Sequence, residues 1–323
     1  GVRLEPFERG GILPHERTYS KVKSERLSLM KACRANLSPI FAFFSDPLAV
    51  LPRIVSRATT SAPAVDFQDA NQHQHRMWVV TDAVLHHLAA ECLAQQTLFI
   101  ADGHHRYETA LAYRDTLLAD EGELPEAHPA NFTLMYLSSI QDPGLIIQPA
   151  HRLLPRVDPE IRATFLERAG ALFHVAKLAP LGNGPDALRY LRAQLDQTPN
   201  GEGVVAVMRG EETPFLLRLK SERRDTLYPE STPEVLRGID VTLLTDGIFP
   251  RLLGISADQL DDVDRVRYEH DASRAADSVV SGRCDMAFII KPPPIAEVQR
   301  IADAGRVMPR KSTYFAPKVI TGL

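Results

Sequence analysis

Ile100-Ala101-Asp102-Gly103-His104-His105-Arg106-Tyr107-Glu108-Thr109-Ala110 reads as strand, tight turn and helix in immediate succession. Residues 97–101 form a short apolar run that feeds directly into Asp102-Gly103, and helical spacing follows over about 104–118. A glycine at this junction lets the backbone turn sharply and approach a ligand closely. The first N–H groups of the following helix lack intrahelical partners and carry partial positive charge, which makes a ready anion site. Arg106 adds a planar, permanently charged fork. Two readings of it stay open: a contact to phosphate or carboxylate, or a pairing with Glu108 or another acid at the helix entrance. His104 and His105 bring donors for phosphate oxygens, and Asp102 is a candidate to hold Mg²⁺ or to receive a proton.

Working outward, strands and helices interleave along the whole chain, so the fold class is α/β in the broad sense, mixed α+β. Ser20 opens a helix expected over about 20–35, with Val22, Leu27, Met30 and Cys33 near helical spacing. Ile40-Phe41-Ala42-Phe43-Phe44 reads as a buried strand, stopped by Asp46-Pro47. Residues 59–74 read as an irregular connection, 77–80 as a strand, and Asp82 as the cap of a helix reaching Gln95. Residues 131–138 and 145–148 read as two strands joined by the turn Gln141-Asp142-Pro143-Gly144. The pattern changes near 154–159, which divides the chain into expected domains 1–155 and 156–323. The later half reads as two helices, a hairpin of 203–208 with 214–219, a helix starting at Ser231-Thr232-Pro233-Glu234, and strands at 263–269, 286–291 and 314–320. Helices at about 272–281 and 295–304 alternate with these last strands.

The 323 residues are 44% hydrophobic and 24% charged with a net charge of -4, an ordinary globular balance. That charge argues against a nucleic-acid or membrane-surface binder, so neither partner is expected. Cys33, Cys92 and Cys284 are odd in number, widely spaced and without a C-x-x-C pair. They make no disulfide framework or thiolate zinc site, and a reducing cytoplasm is the expected compartment. His73, His75, His86 and His87 do not have the spacing of a zinc set. Trp78 is read as a core residue. The sequence opens at Gly1 rather than Met and is expected to lack an N-terminal portion.

The block Asp102-Gly103-His104-His105-Arg106, with Ala110 four residues on, resembles the ParB/sulfiredoxin superfamily and especially the D-G-H-H-R motif of its free-serine kinases. Leu13-Pro14-His15-Glu16 is similar to the P-H-E segment of those kinases, and the order P-H-E, helix, strand, strand, D-G-H-H-R, helix matches over about 11–115. The whole chain resembles a family of unknown function, DUF1015. Its hallmarks stand here as Gly11-Ile12-Leu13-Pro14-His15-Glu16-Arg17-Thr18, the D-G-H-H-R block, Pro149-Ala150-His151-Arg152 and Met308-Pro309-Arg310-Lys311-Ser312-Thr313-Tyr314-Phe315. Members of that family carry a further P-P-Y-D-like N-terminal segment that these residues do not contain.

The resemblance implies a ParB/sulfiredoxin-like nucleotide-binding domain followed by a second α+β domain. ATP or ADP would rest its phosphates on Gly103, His104, His105 and Arg106, with Mg²⁺ bridging phosphate oxygens and touching Asp102. Glu16 would be the general base toward a small alcohol such as free serine; residues alone favour instead a surface acid paired with Arg17 or Lys21. His15, Thr18, His151, Arg152 and Lys311 are additional candidates. His151 and Arg152 are expected at the carboxyl end of an apolar strand, and Lys311 in a loop with two hydroxyls. The function implied is a small-molecule kinase, with a non-catalytic nucleotide-sensing module of the ParB type as the alternative and a homodimer as a candidate assembly. A sulfiredoxin-like reductase needs a cysteine where this chain has His104.

Overall fold

The computed structural model describes residues 1–16, 20–70, 72–180 and 185–321. It is a mixed α/β protein that divides into two compact units. The first comprises Gly1–Pro14, Thr18–Leu145 and Pro317–Leu323, and the second His15–Arg17 with Ile146–Ala316. The expected boundary at 155/156 thus falls inside the second unit. The strand His151–Leu154 lies within that unit's sheet, between Met286–Ile289 and Arg267–Glu269.

In the first unit a four-stranded sheet runs in the order Ile12–Leu13, Leu98–Asp102, Ile40–Phe44, Met135–Ser139. Leu98–Asp102 is parallel to Ile12–Leu13 and antiparallel to Ile40–Phe44, which is parallel to Met135–Ser139. Every residue of Ile40–Phe44 is buried, as its unbroken apolar run requires. Ile40, Ala42 and Phe44 join Ile12, Leu98, Ile100, Tyr107 and Ala110 in one core. The helices Ser20–Cys33 and His104–Glu121 pack against each other beside it.

Three local expectations change in this unit. Residues 59–74 hold half of a hairpin, Val65–Gln68 paired with Gln74–Met77, whose polar and partly exposed residues give little hydrophobic alternation. Trp78 is only partly buried and donates Nε1–H to the Ser61 carbonyl at 2.8 Å, so it is not a core residue. The Gln141–Gly144 turn forms, but the strands flanking it do not pair: Met135–Ser139 takes Ile40–Phe44, and Ile146–Gln148 takes Tyr314–Ala316.

The second unit is built on a six-stranded antiparallel sheet. Its order is Phe173–Lys177, Phe215–Leu219, Gly203–Met208, Met286–Ile289, His151–Leu154, Arg267–Glu269. The expected hairpin is present, with Val204 opposite Leu217. All six residues of Gly203–Met208 are buried because both faces of the sheet are covered. Val204, Ala206 and Met208 face a core with Phe165 of the helix Pro159–Gly170 and Phe249 of the helix Leu243–Leu253. Val205 and Val207 face another with Leu191, Leu195 and Val279. The helix expected from Ser231 is reduced to the single turn Glu234–Leu236; the longer helix, Leu243–Leu253, is wound as a π-helix with Pro250 inside it. The strands expected at 263–269 and 314–320 shorten to Arg267–Glu269 and Tyr314–Ala316. Among the described residues no helix is long and apolar enough to cross a membrane.

Candidate functional site

The strand Leu98–Asp102 ends on Asp102, Gly103 turns the chain at φ +98°, and the helix His104–Glu121 begins at the next residue. The sheet register shifts just there, with Phe41 opposite Asp102 and Ala42 opposite Ile100, the kind of bulge that re-aims a strand's end. The positive φ favours glycine at position 103, and a Cβ there would sit 2.9 Å from Arg106 Nε and Nη2, so the guanidinium would have to shift. The capping position is Gly103, which has no side chain to cap this helix. The contrast within the chain is direct: Asp82, Asp158 and Asp271 each accept two backbone N–H groups at the start of their own helices. The positive end of the His104 helix carries no such carboxylate.

Arg106 settles between its two sequence readings by pairing with an acid, Asp102. Its Nη2 donates to Asp102 Oδ2 at 2.6 Å, and Nη1 donates to the Pro39 carbonyl. Burial lowers the Arg106 pKa from its ordinary value, and the Asp102 charge opposes that shift. Lys318 Nζ lies 3.1 Å from Asp102 Oδ1. One carboxylate is therefore held between two cations. His104 is buried and His105 partly so. Tyr107 fixes the first turn: its hydroxyl donates to the Glu5 carbonyl at 2.8 Å and accepts the Glu5 N–H at 3.1 Å. Its ring stacks on Phe7, and burial pushes its pKa up to about 12.

Both Asp102 oxygens already face cations, so direct coordination of Mg²⁺ would displace an ion pair. Among the described residues no group of three or more His, Cys, Asp or Glu is placed to hold a metal ion.

The other flagged residues gather within the second unit around the segment 308–315. His15, 1% exposed, places Nε2 2.9 Å from Thr313 Oγ1 and packs edge-on against Phe315. Its carbonyl accepts the Met308 N–H at 2.8 Å. Glu16 bridges to Met308, and its Oε1 accepts the Lys311 N–H at 3.4 Å. Lys311 is exposed and holds a left-handed φ of 53°. Arg152, 1% exposed, donates to the carbonyls of Ala150, Arg310 and Lys311 and lies over the Tyr268 ring at 5.0 Å. Burial brings its pKa down to about 10. That arrangement makes Arg152 a clamp on the 310–311 backbone. His151 and Arg152 open the strand His151–Leu154 rather than end one, since Pro149 interrupts the apolar run before them. Thr18 and Arg17 lie outside the described residues.

Two participants carry no local sequence signal. Lys318 is 216 positions from Asp102 and sits in an unremarkable Ala-Pro-Lys tail. Pro39 contributes only a carbonyl, which no side-chain pattern announces.

Among solved structures, the chain is similar to a free serine kinase in complex with AMP, at 13% identity and a TM-score of 0.44 over 95% of this chain and 84% of that one. It is also similar to a conserved hypothetical protein from Pyrococcus furiosus, at 13% identity and a TM-score of 0.43 over 96% and 89%. SbnI with C-terminal truncation from Staphylococcus aureus is similar at 11% identity and a TM-score of 0.43 over 97% and 81%. No curated protein matches the sequence. The model of one family, described as protein of unknown function (DUF1015), matches residues 1–242, and the chain belongs to that family.

Proposed function

We propose that the first unit binds the phosphates of ATP or ADP at the N-terminal end of the His104–Glu121 helix. The chain then transfers a phosphoryl group to a small hydroxyl compound, with free serine as the first candidate acceptor. The observation that carries this reading is the glycine-opened helix start beside Asp102, Arg106 and Lys318. Helix N–H groups with an adjacent cation suit phosphate oxygens, and the left-handed glycine lets the backbone come close to them. The similarity of the D-G-H-H-R block to that of free-serine kinases supports the same assignment.

Phosphoryl transfer asks mainly for positioning and charge neutralisation, together with one base aimed at the attacking hydroxyl. In this reading the helix amides and Lys318 meet the phosphates, and Asp102 with the Pro39 carbonyl holds Arg106 against Gly103. The acceptor's hydroxyl loses its proton to a general base, for which the resemblance implies Glu16, as the new O–P bond forms, and the bridging oxygen leaves with the nucleotide. Mg²⁺, brought by the nucleotide, would supply charge neutralisation at its phosphates.

The test is transfer from ATP and from ADP, each with Mg²⁺, to a panel of alcohols headed by L-serine. Glu16→Gln is expected to lower the transfer rate by about a hundredfold or more while nucleotide still binds, the usual scale for loss of a general base. Arg106→Ala is expected to weaken both binding and turnover. Absence of product from every acceptor, with nucleotide binding intact, would overturn the kinase reading and favour a nucleotide-sensing module.

A further inference from the structure

The second unit contains a cavity of about 840 Å³ lined only by its own residues, within the size range of small-molecule sites. Ile147, Leu191 and Ile289 give it an apolar wall, and His151, His270 and Tyr314 stand on it as well. The two histidines present opposite hydrogen-bonding character, because each has one ring nitrogen fixed by the backbone. His151 Nδ1 accepts the Ile290 N–H at 3.3 Å, so its proton resides on Nε2. His270 Nδ1 lies 2.9 Å from the Pro149 carbonyl, which can only accept, so its proton resides on Nδ1 and Nε2 is a lone pair. His151 is 2% exposed, and no partner for its Nε2 is found among the described residues. Burial, with Arg152 and His270 nearby, lowers its pKa to about 3, which keeps it a neutral donor. The His270 ring is held by Tyr314, with centroids 4.1 Å apart.

The charges around the cavity are unevenly engaged. Glu269 Oε1 accepts the N–H groups of His270 and Asp271, and Asp271 Oδ1 accepts those of Ser273 and Arg274. Lys291 Nζ donates to the Thr198 carbonyl at 2.6 Å, and Arg192 sits 3.9 Å from Asp196. Arg274 also lines the cavity, is exposed, and has no side-chain partner among the described residues. Among the described residues the lining thus offers Arg274 and the loosely paired Arg192 as cations beside Asp196, Glu269 and Asp271, together with one neutral N–H donor, one imidazole acceptor and an apolar wall.

We propose that this cavity is a binding site for a small carboxylate that carries a hydrogen-bond donor on the neighbouring carbon and an apolar side chain, as an apolar amino acid or its hydroxy-acid analogue does. The carboxylate meets Arg274 and the His151 Nε2–H, the amino or hydroxyl group donates to His270 Nε2, and the side chain lies on the apolar wall. Nothing in this assignment depends on the phosphotransfer reading.

Calorimetric titration of the whole chain with four probes tests it: L-leucine, its α-hydroxy analogue, isocaproate, which lacks the donor, and isoamylamine, which lacks the carboxylate. The first two bind, isocaproate binds about tenfold more weakly, and isoamylamine does not bind, the scale expected for loss of a charge-assisted contact. Arg274→Ala weakens leucine by about tenfold or more with no change in melting temperature, since Arg274 is exposed. His270→Phe abolishes the preference for leucine over isocaproate. Nitrogen-15 spectra of the imidazoles place the protons on Nε2 of His151 and Nδ1 of His270. Failure of all four probes to bind the folded protein, unchanged leucine affinity in Arg274→Ala, or the reverse tautomers would each overturn the proposal.

Discussion

Gly103 holds φ +98° while the Arg106 guanidinium occupies the space a side chain would need. Gly103→Ala therefore meets two penalties, backbone strain and displacement of Arg106, and is expected to destabilise the fold by about 1–3 kcal/mol in urea titration. His151 makes a second prediction at this scale. Its folded pKa of about 3 lies below the ordinary histidine value, so between roughly pH 3 and 6.5 the unfolded chain binds the extra proton. Its contribution is complete above about pH 6.5 and declines as pH falls, by about 1.4 kcal/mol per unit in the steep part. Asp240 works in the opposite sense: burial raises its pKa to about 6, so its part of stability declines as pH rises through that value. The difference between parent and His151→Gln isolates the histidine; urea midpoints should converge as pH falls from 7 to 4. A constant gap would contradict a neutral, buried imidazole.

Elements show the same chemistry used for different ends. Asp271 caps the helix Ala272–Val280 through Ser273 N and Arg274 N, and Asp271→Ala is expected to cost about 1 kcal/mol by denaturant titration. The His104 helix lacks that device, and the difference was legible before any coordinates, since Asp82 and Asp271 precede their helices where Gly103 precedes its own. Long apolar runs were equally legible: Ile40–Phe44 and Gly203–Met208 are buried strands as their composition demands. Short polar strands were not, because Val65–Gln68 and Gln74–Met77 gain their order from pairing with each other rather than from a buried face. Strand partners after the Gln141–Gly144 turn were also hidden: Tyr314–Ala316 reaches Ile146–Gln148 from far along the chain, and no local pattern encodes that.

At the scale of the whole molecule, the central strands of the six-stranded sheet are buried because both sheet faces are covered. Leu217 is fully buried in one of its cores, so Leu217→Ala is expected to cost about 2–5 kcal/mol, read as a lowered denaturation midpoint. The candidate phosphate site was legible in part. Gly103, Asp102 and Arg106 announce themselves in one motif, whereas Lys318 arrives from the last residues of the chain, and only folding brings it to Asp102. Arg106 also shows how a residue can be found while its contact is left open, since its charge fits an acid and a phosphate equally well.

Calorimetric titration with ADP and ATP of the parent chain, Gly103→Ala and Lys318→Ala, with melting curves to verify folding, tests the central claim most directly. Saturable nucleotide binding by the parent is expected, with affinity weaker by about tenfold or more in each folded variant, the scale of one lost charge-assisted phosphate contact. Parent protein that ignores both nucleotides, or folded variants that bind them as tightly as the parent does, would contradict a phosphate site at the start of the His104 helix.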